Sequence, residues 1–231
     1  MSRATHSLDF DGHRLTYRAS GRGPALVVVS QYWRREDEVR VRLLSDCWQL
    51  FEITPVGYGQ SDRVPSYAAE ALPDQVLAVL DRHEVARFAI WGYSAGGAMV
   101  ACVARATPRA VALVCGGFSL FDPLTPGMLR QLDRRLPPDH PSRSLWWWLN
   151  AFDWNSEVRA MSCPCLLYWG SDDRQMAGKL RRAQTRLHLQ NVDFAEFAGL
   201  DHAACNTCDA LSERVVPAVD KWLARRVGRD W

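Results

Sequence analysis

Residues 88–97, FAIWGYSAGG, constrain the fold of this chain more than any other stretch. The apolar run Phe88, Ala89, Ile90, Trp91 predicts a buried strand, and residues 98–105 predict a helix that stops near Thr107 and Pro108. Between them Gly92, Tyr93, Ser94, Ala95 and Gly96 spell G-x-S-x-G. So tight a turn from strand to helix leaves no room for a Cβ at either flank, which is what the two glycines provide. Ser94 is thereby held above the sheet with its hydroxyl exposed. The backbone N–H of Ala95, at the helix start, faces the place where an oxyanion would form.

The chain has 231 residues, 48% hydrophobic and 23% charged, which suits one large domain or a domain with a small insertion. A formal net charge of +2, with its 28 Lys and Arg spread along the chain, argues against a nucleic-acid partner. Residues 1–12 are polar and lack the apolar core of a signal peptide, and no stretch approaches the length of a membrane span. The expectation is a cytoplasmic protein without membrane association, a monomer or homodimer acting on a small molecule. Seven irregularly spaced cysteines fit reduced thiols better than a disulfide framework.

Taken in order, residues 8–10 and 14–18 flank a hairpin turn at Asp11-Gly12. Residues 25–29 are a continuous apolar run, typical of a strand covered on both faces. A helix over 36–46 places Val39, Leu43 and Leu44 on one side; strand 48–53 and a long helix over 67–83 follow. Beyond the Ser94 turn, strands are predicted at 110–115, 165–169 and 192–197, with a closing helix over 211–227. After an antiparallel hairpin, strands alternate with helices, which implies an α/β fold with a mainly parallel, doubly wound sheet and its site beyond the carboxyl ends of the strands. Between Gly117 and Met161 no apolar strand appears. This segment carries five prolines and the run Trp146-Trp147-Trp148, and so long a connection in a compact domain is usually functional.

The strand, G-x-S-x-G turn and helix form the context of a nucleophile elbow and resemble the alpha/beta-hydrolase superfamily. That resemblance implies a core of residues 1–117 and 162–231 with a small helical cap inserted over 118–161. It also implies a catalytic Ser, acid and His in that chain order. Gly170-Ser171-Asp172-Asp173, just past one late strand, looks like the family's acid turn with Asp173 as the acid; Asp172 is the main rival and Asp122 a minor one. Asp201-His202, just past the next, looks like the loop of the catalytic His. Family members usually carry His-Gly after the strand that here holds Val27 to Val29. This chain has Ser30-Gln31-Tyr32-Trp33 instead. By position Tyr32 donates the second oxyanion N–H beside Ala95, but the missing glycine puts the loop in question, because Gln31 tolerates positive φ poorly. Gln31, Trp33, Tyr93, Trp146 and Trp147 are the expected substrate-pocket residues, and the aromatic cap favours an apolar substrate.

The expectation is therefore a carboxylesterase- or thioesterase-like serine hydrolase that forms an acyl-enzyme at Ser94, with no cofactor and no metal. The alternatives are the same triad used for carbon–carbon hydrolysis, lyase action or perhydrolysis, and a ligand-binding member without activity. Epoxide hydrolases and dehalogenases resemble the same fold but use Asp at the elbow, where this chain has Ser94. Cys205-Asn206-Thr207-Cys208 has the spacing of a redox or metal pair, but no second matching pair completes a zinc site. No dinucleotide-binding glycine fingerprint is present.

Overall fold

The described residues form eight strands: β1 (His6–Phe10), β2 (His13–Gly21), β3 (Ala25–Val29), β4 (Gln49–Thr54), β5 (Phe88–Tyr93), β6 (Ala110–Gly116), β7 (Cys165–Gly170) and β8 (Val192–Phe197). The helices are α1 (Arg35–Leu44), α2 (Leu72–Arg82), α3 (Ala95–Ala106), α4 (Pro126–Arg135), α5 (Ser142–Leu149), α6 (Trp154–Ala160), α7 (Ala177–Arg186) and α8 (Val216–Val227). The computed structural model describes residues 4–32, 35–64, 69–121, 126–138, 140, 142–186 and 189–229. One sheet holds all eight strands, in the order β1-β2-β4-β3-β5-β6-β7-β8. β2 runs antiparallel to both neighbours; from β4 to β8 every pairing is parallel. The carboxyl ends of β5, β7 and β8 therefore share one edge.

The inner strands alternate between two apolar layers, the period-2 pattern of a sheet covered on both faces. Phe88 and Ile90, Leu113 and Cys115, and Leu167 and Trp169 enter one layer with residues of α2, α3 and α7. Ala89 and Trp91, Ala112 and Val114, and Leu166 and Tyr168 enter the other, with residues of α1 and α8. α1 departs from the expected pattern. Leu43 is 41% exposed, while Asp37 and Arg40 are buried.

Residues 118–161 hold three short helices and, among the described residues, no strand. Leu145, Leu149, Trp154 and Val158 from these helices join the same layer as the sheet, and Arg105 of α3 is ion-paired to Glu157 of α6 at 2.6 Å. The start of the helix expected over 67–83 lies partly outside the described residues. The closing helix is interrupted: Leu211–Val215 is a π-helical turn before α8. Pro217 explains the break, since it lacks an N–H and its ring would clash with the carbonyl four residues earlier. No described helix is long and apolar enough to cross a membrane.

β5 passes into α3 through Ser94 alone, which sits at φ 55° and ψ −120°. That backbone is unfavourable for a residue with a Cβ and persists only where packing enforces it. The enforcement comes from close approach. A Cβ on Gly92 would lie 2.1 Å from the Gly96 carbonyl oxygen, and one on Gly96 would lie 2.8 Å from that of Val29. Both obstacles are backbone. Gly92→Ala is therefore expected to destabilise the fold by ~3 kcal/mol or more, read as a large fall in thermal midpoint or loss of soluble protein.

Candidate active site

Ser94 is the N-cap residue of α3, yet its side chain makes no capping bond. Its Oγ lies instead 2.9 Å from His202 Nε2. On the other side of the ring, His202 Nδ1 lies 2.6 Å from Asp173 Oδ2. Asp173 is 1% exposed, and its second oxygen accepts the backbone N–H groups of Gln175 and Met176, each at 3.0 Å. Both carboxylate oxygens are thus occupied, as a buried carboxylate requires. Asp172 faces the other way: it is exposed and accepts from the Ser171 hydroxyl at 2.6 Å. Asp122 lies outside the described residues.

The turn after β7 and the loop after β8 are stitched together. Ser171 N–H donates to Phe197 at 2.9 Å, Asp172 N–H donates to Leu200 at 2.9 Å, and Gly199 N–H donates to Ser171 Oγ at 2.8 Å. Tyr93, one residue before Ser94, donates its hydroxyl to the His202 carbonyl at 2.5 Å, with its ring 5.3 Å from the imidazole. Burial pushes the Tyr93 phenol far above its ordinary range. It therefore stays a donor at any working pH.

A cavity of about 500 Å³ opens at Ser94. Tyr32, Ala95, Gln31 and Tyr93 all line it. Gln31 is absent from the positive-φ residues, so this loop forms without the backbone that a glycine would supply. The loop closes on itself instead, with Ser30 Oγ donating to the Tyr32 carbonyl at 2.6 Å. The Gln31 side chain is turned to residues 118–161: its Nε2 donates to Ser142 Oγ at 3.1 Å, and Ser142 Oγ is 3.2 Å from the Tyr58 hydroxyl. Burial raises that phenol to about 12. Trp33 lies outside the described residues.

The tryptophan run does not line the cavity, which corrects the expectation for Trp146 and Trp147. Leu145 and Leu149, four residues apart, take the buried face of α5. The three tryptophans between them fan out by the ~100° per residue of an α-helix. Trp146 packs on Phe118 at 6.0 Å between ring centres; Trp147 is 48% exposed, its indole N–H bonded to Asp133 at 2.9 Å. Part of the cavity wall was not foreseen. It consists of Glu36, Asp37 and Arg40 from α1, with Asn206 and Thr207 from beyond His202. Polar residues in a helix carry no sequence signal that separates a cavity wall from a solvated face.

Among the described residues, no group of three His, Cys, Asp or Glu side chains could hold a metal ion. The cysteines are unpaired; Cys205 is buried, and its thiol is raised to about 11 by that burial.

A family model described as the alpha/beta hydrolase fold matches residues 29–155, more than half of the chain. The chain belongs to the alpha/beta hydrolase fold family. The eight-stranded sheet and its flanking helices are those of this family. Solved structures are similar along nearly the whole length. A thermophilic esterase from Thermogutta terrifontis superposes with a TM-score of 0.76 at 18% identity, covering 97% of this chain and 99% of that one. A carboxylesterase structure from the ammonia-oxidizing thaumarchaeon Nitrososphaera gives a TM-score of 0.77 at 15% identity, over 96% of this chain and 98% of that one. A bromoperoxidase from Bacillus anthracis gives 0.73 at 15% identity, over 96% and 99%. At such identities the likeness is one of fold. No curated protein matches the chain in sequence.

Two outcomes follow from this geometry. Asp173→Asn should cut turnover by a factor of about 10⁴, because an amide at that position favours the wrong imidazole tautomer, whereas Asp172→Asn should leave it near wild type; steady-state ester hydrolysis distinguishes them. Gln31→Ala removes the bond to Ser142. It should cost about 1 kcal/mol of stability and less than the ~100-fold in kcat that a lost oxyanion donor costs, read by thermal melting beside turnover.

Proposed function

We propose that the protein is a serine hydrolase that cleaves a small ester or thioester through an acyl-enzyme at Ser94. The observation that carries this reading is the continuous relay Ser94–His202–Asp173 at the wall of a cavity. With Nδ1–H held by the Asp173 carboxylate, Nε2 is left as an acceptor facing the serine hydroxyl. As Ser94 Oγ bonds to the substrate carbonyl carbon, its proton passes to Nε2. Asp173 stabilises the resulting imidazolium. The tetrahedral oxyanion collapses, the carbon–oxygen or carbon–sulfur bond to the leaving group breaks, and Nε2–H protonates the departing alcohol or thiol. Water then repeats the cycle on the acyl-enzyme and frees the acid.

The Ala95 N–H is one oxyanion donor in this reading, as the first amides of a helix have no intrahelical acceptor. Tyr32, on the same cavity wall, supplies the second. Residues 118–161 serve as the cap. A cavity of about 500 Å³ suits a small substrate. With Trp146 and Trp147 outside it, the support for an apolar substrate falls away. Glu36 and Thr207 on its wall favour a substrate with a polar end.

The test is labelling with a fluorophosphonate, followed by turnover of p-nitrophenyl esters and thioesters of short acyl chains. The expected result is stoichiometric label on Ser94, with Ser94→Ala neither labelled nor active beyond the residual ~10³–10⁴-fold over water that binding alone supplies. A folded wild-type protein that neither takes the label nor turns over any ester overturns the reading.

A further inference from the structure

The part of the cavity wall that α1 supplies contains a buried charged pair that the relay does not use. Asp37 and Arg40, one turn apart on α1, are each 5% exposed and form an ion pair at 2.7 Å. The guanidinium lies 5.0 Å over the ring of Trp91, three residues before Ser94. Its second terminal nitrogen donates to Asn206 Oδ1 at 2.8 Å. Asn206 ends the 3₁₀ turn Ala204–Asn206, which begins two residues after His202. That turn is braced internally: Ala204 N–H donates to Asp201 Oδ1 at 2.7 Å, and Asn206 N–H donates to the Ala203 carbonyl at 3.1 Å. Residues 201–206 are thus held as one hydrogen-bonded turn that carries both His202 and Asn206.

Taking two opposite charges out of water is costly, and an apolar pair of similar volume would often hold α1 in place at least as well. What the charged pair adds is direction. A planar guanidinium fixed by one carboxylate can aim a second donor, which neither an apolar side chain nor a lysine reproduces. The imidazole needs such an aim, because it stands on a loop 108 residues from the serine it must face.

We propose that Asp37 and Arg40 are positioning residues, a strut from α1 that sets His202 over Ser94 by holding Asn206. The proposal rests on the hydrolase reading. In this role the pair acts through Asn206 rather than on the substrate, together with Tyr93, whose hydroxyl holds the His202 carbonyl.

The experiment uses the full chain and p-nitrophenyl acetate. Arg40→Met takes the counter-charge from a buried carboxylate and can fail to fold, so Asn206→Ala is the primary variant: it cuts the strut and leaves the ion pair intact. A displaced imidazole should lower kcat by about 10- to 100-fold, with KM and melting temperature little changed. Asn206→Asp, which keeps an oxygen for Arg40, should restore most of the rate. Where Arg40→Met folds, the double variant should lose no more than the worse single variant, since both remove one contact. Wild-type kcat in Asn206→Ala overturns the strut, as do losses that multiply in the double variant. A raised KM at unchanged kcat also overturns it, by making Asn206 a substrate contact. An inactive, unlabelled wild type is a different failure and strikes the hydrolase reading itself.

Discussion

The structure depends on one backbone crossing, the place where β5 turns into α3 with no residue to spare. Ser94 stands at φ 55°, and a side chain on Gly92 would collide with the helix it leads into. This strain is local, but what sustains it is not. β5 lies in the middle of the sheet with β3 and β6 on its two sides, and Ala98 to Val103 of α3 are fully buried or nearly so. The strand and the helix are each fixed by the core, and the serine between them takes the conformation that remains. Its hydroxyl is thereby turned from capping the helix toward His202.

The parallel sheet supplies the rest of the convergence. Every strand from β3 onward points the same way, so the turns after β5, β7 and β8 gather at one edge although the residues lie far apart in the chain. Gly170 lets two of these turns touch: a Cβ there would fall 2.0 Å from the Leu200 carbonyl oxygen. The acid turn and the histidine loop can then exchange backbone hydrogen bonds, and the 2.6 Å contact between Asp173 and His202 inherits their rigidity.

Much of this was legible in the sequence, because strand ends and turn residues are local signals. The apolar runs located the inner strands, and Ser94, Asp173 and His202 each follow one of them directly. The choice between Asp172 and Asp173 was less accessible. Adjacent residues in a turn point opposite ways, and only the fold shows that Asp173 is the buried one. The tryptophans misled for a related reason. Three successive residues on a helix cannot share a face, and the i, i+4 pair Leu145 and Leu149 had the stronger claim to the interior. The α1 wall was invisible, since Asp37 and Arg40 are residue types that ordinarily mark a solvated face. Their burial depends on partners, Trp91 and Asn206, that lie more than fifty residues away.

The way residues 118–161 attach has a consequence for their freedom. Leu145, Leu149, Trp154 and Val158 are rooted among the side chains of the sheet layer, and α6 is tied to α3 by an ion pair. Lifting α5 and α6 as a body would bring those side chains into water at ~2 kcal/mol each, a cost that approaches the whole stability of an ordinary domain. The segment is thus thermodynamically part of the cooperative unit: amides in α5 should exchange with solvent only when the sheet itself opens.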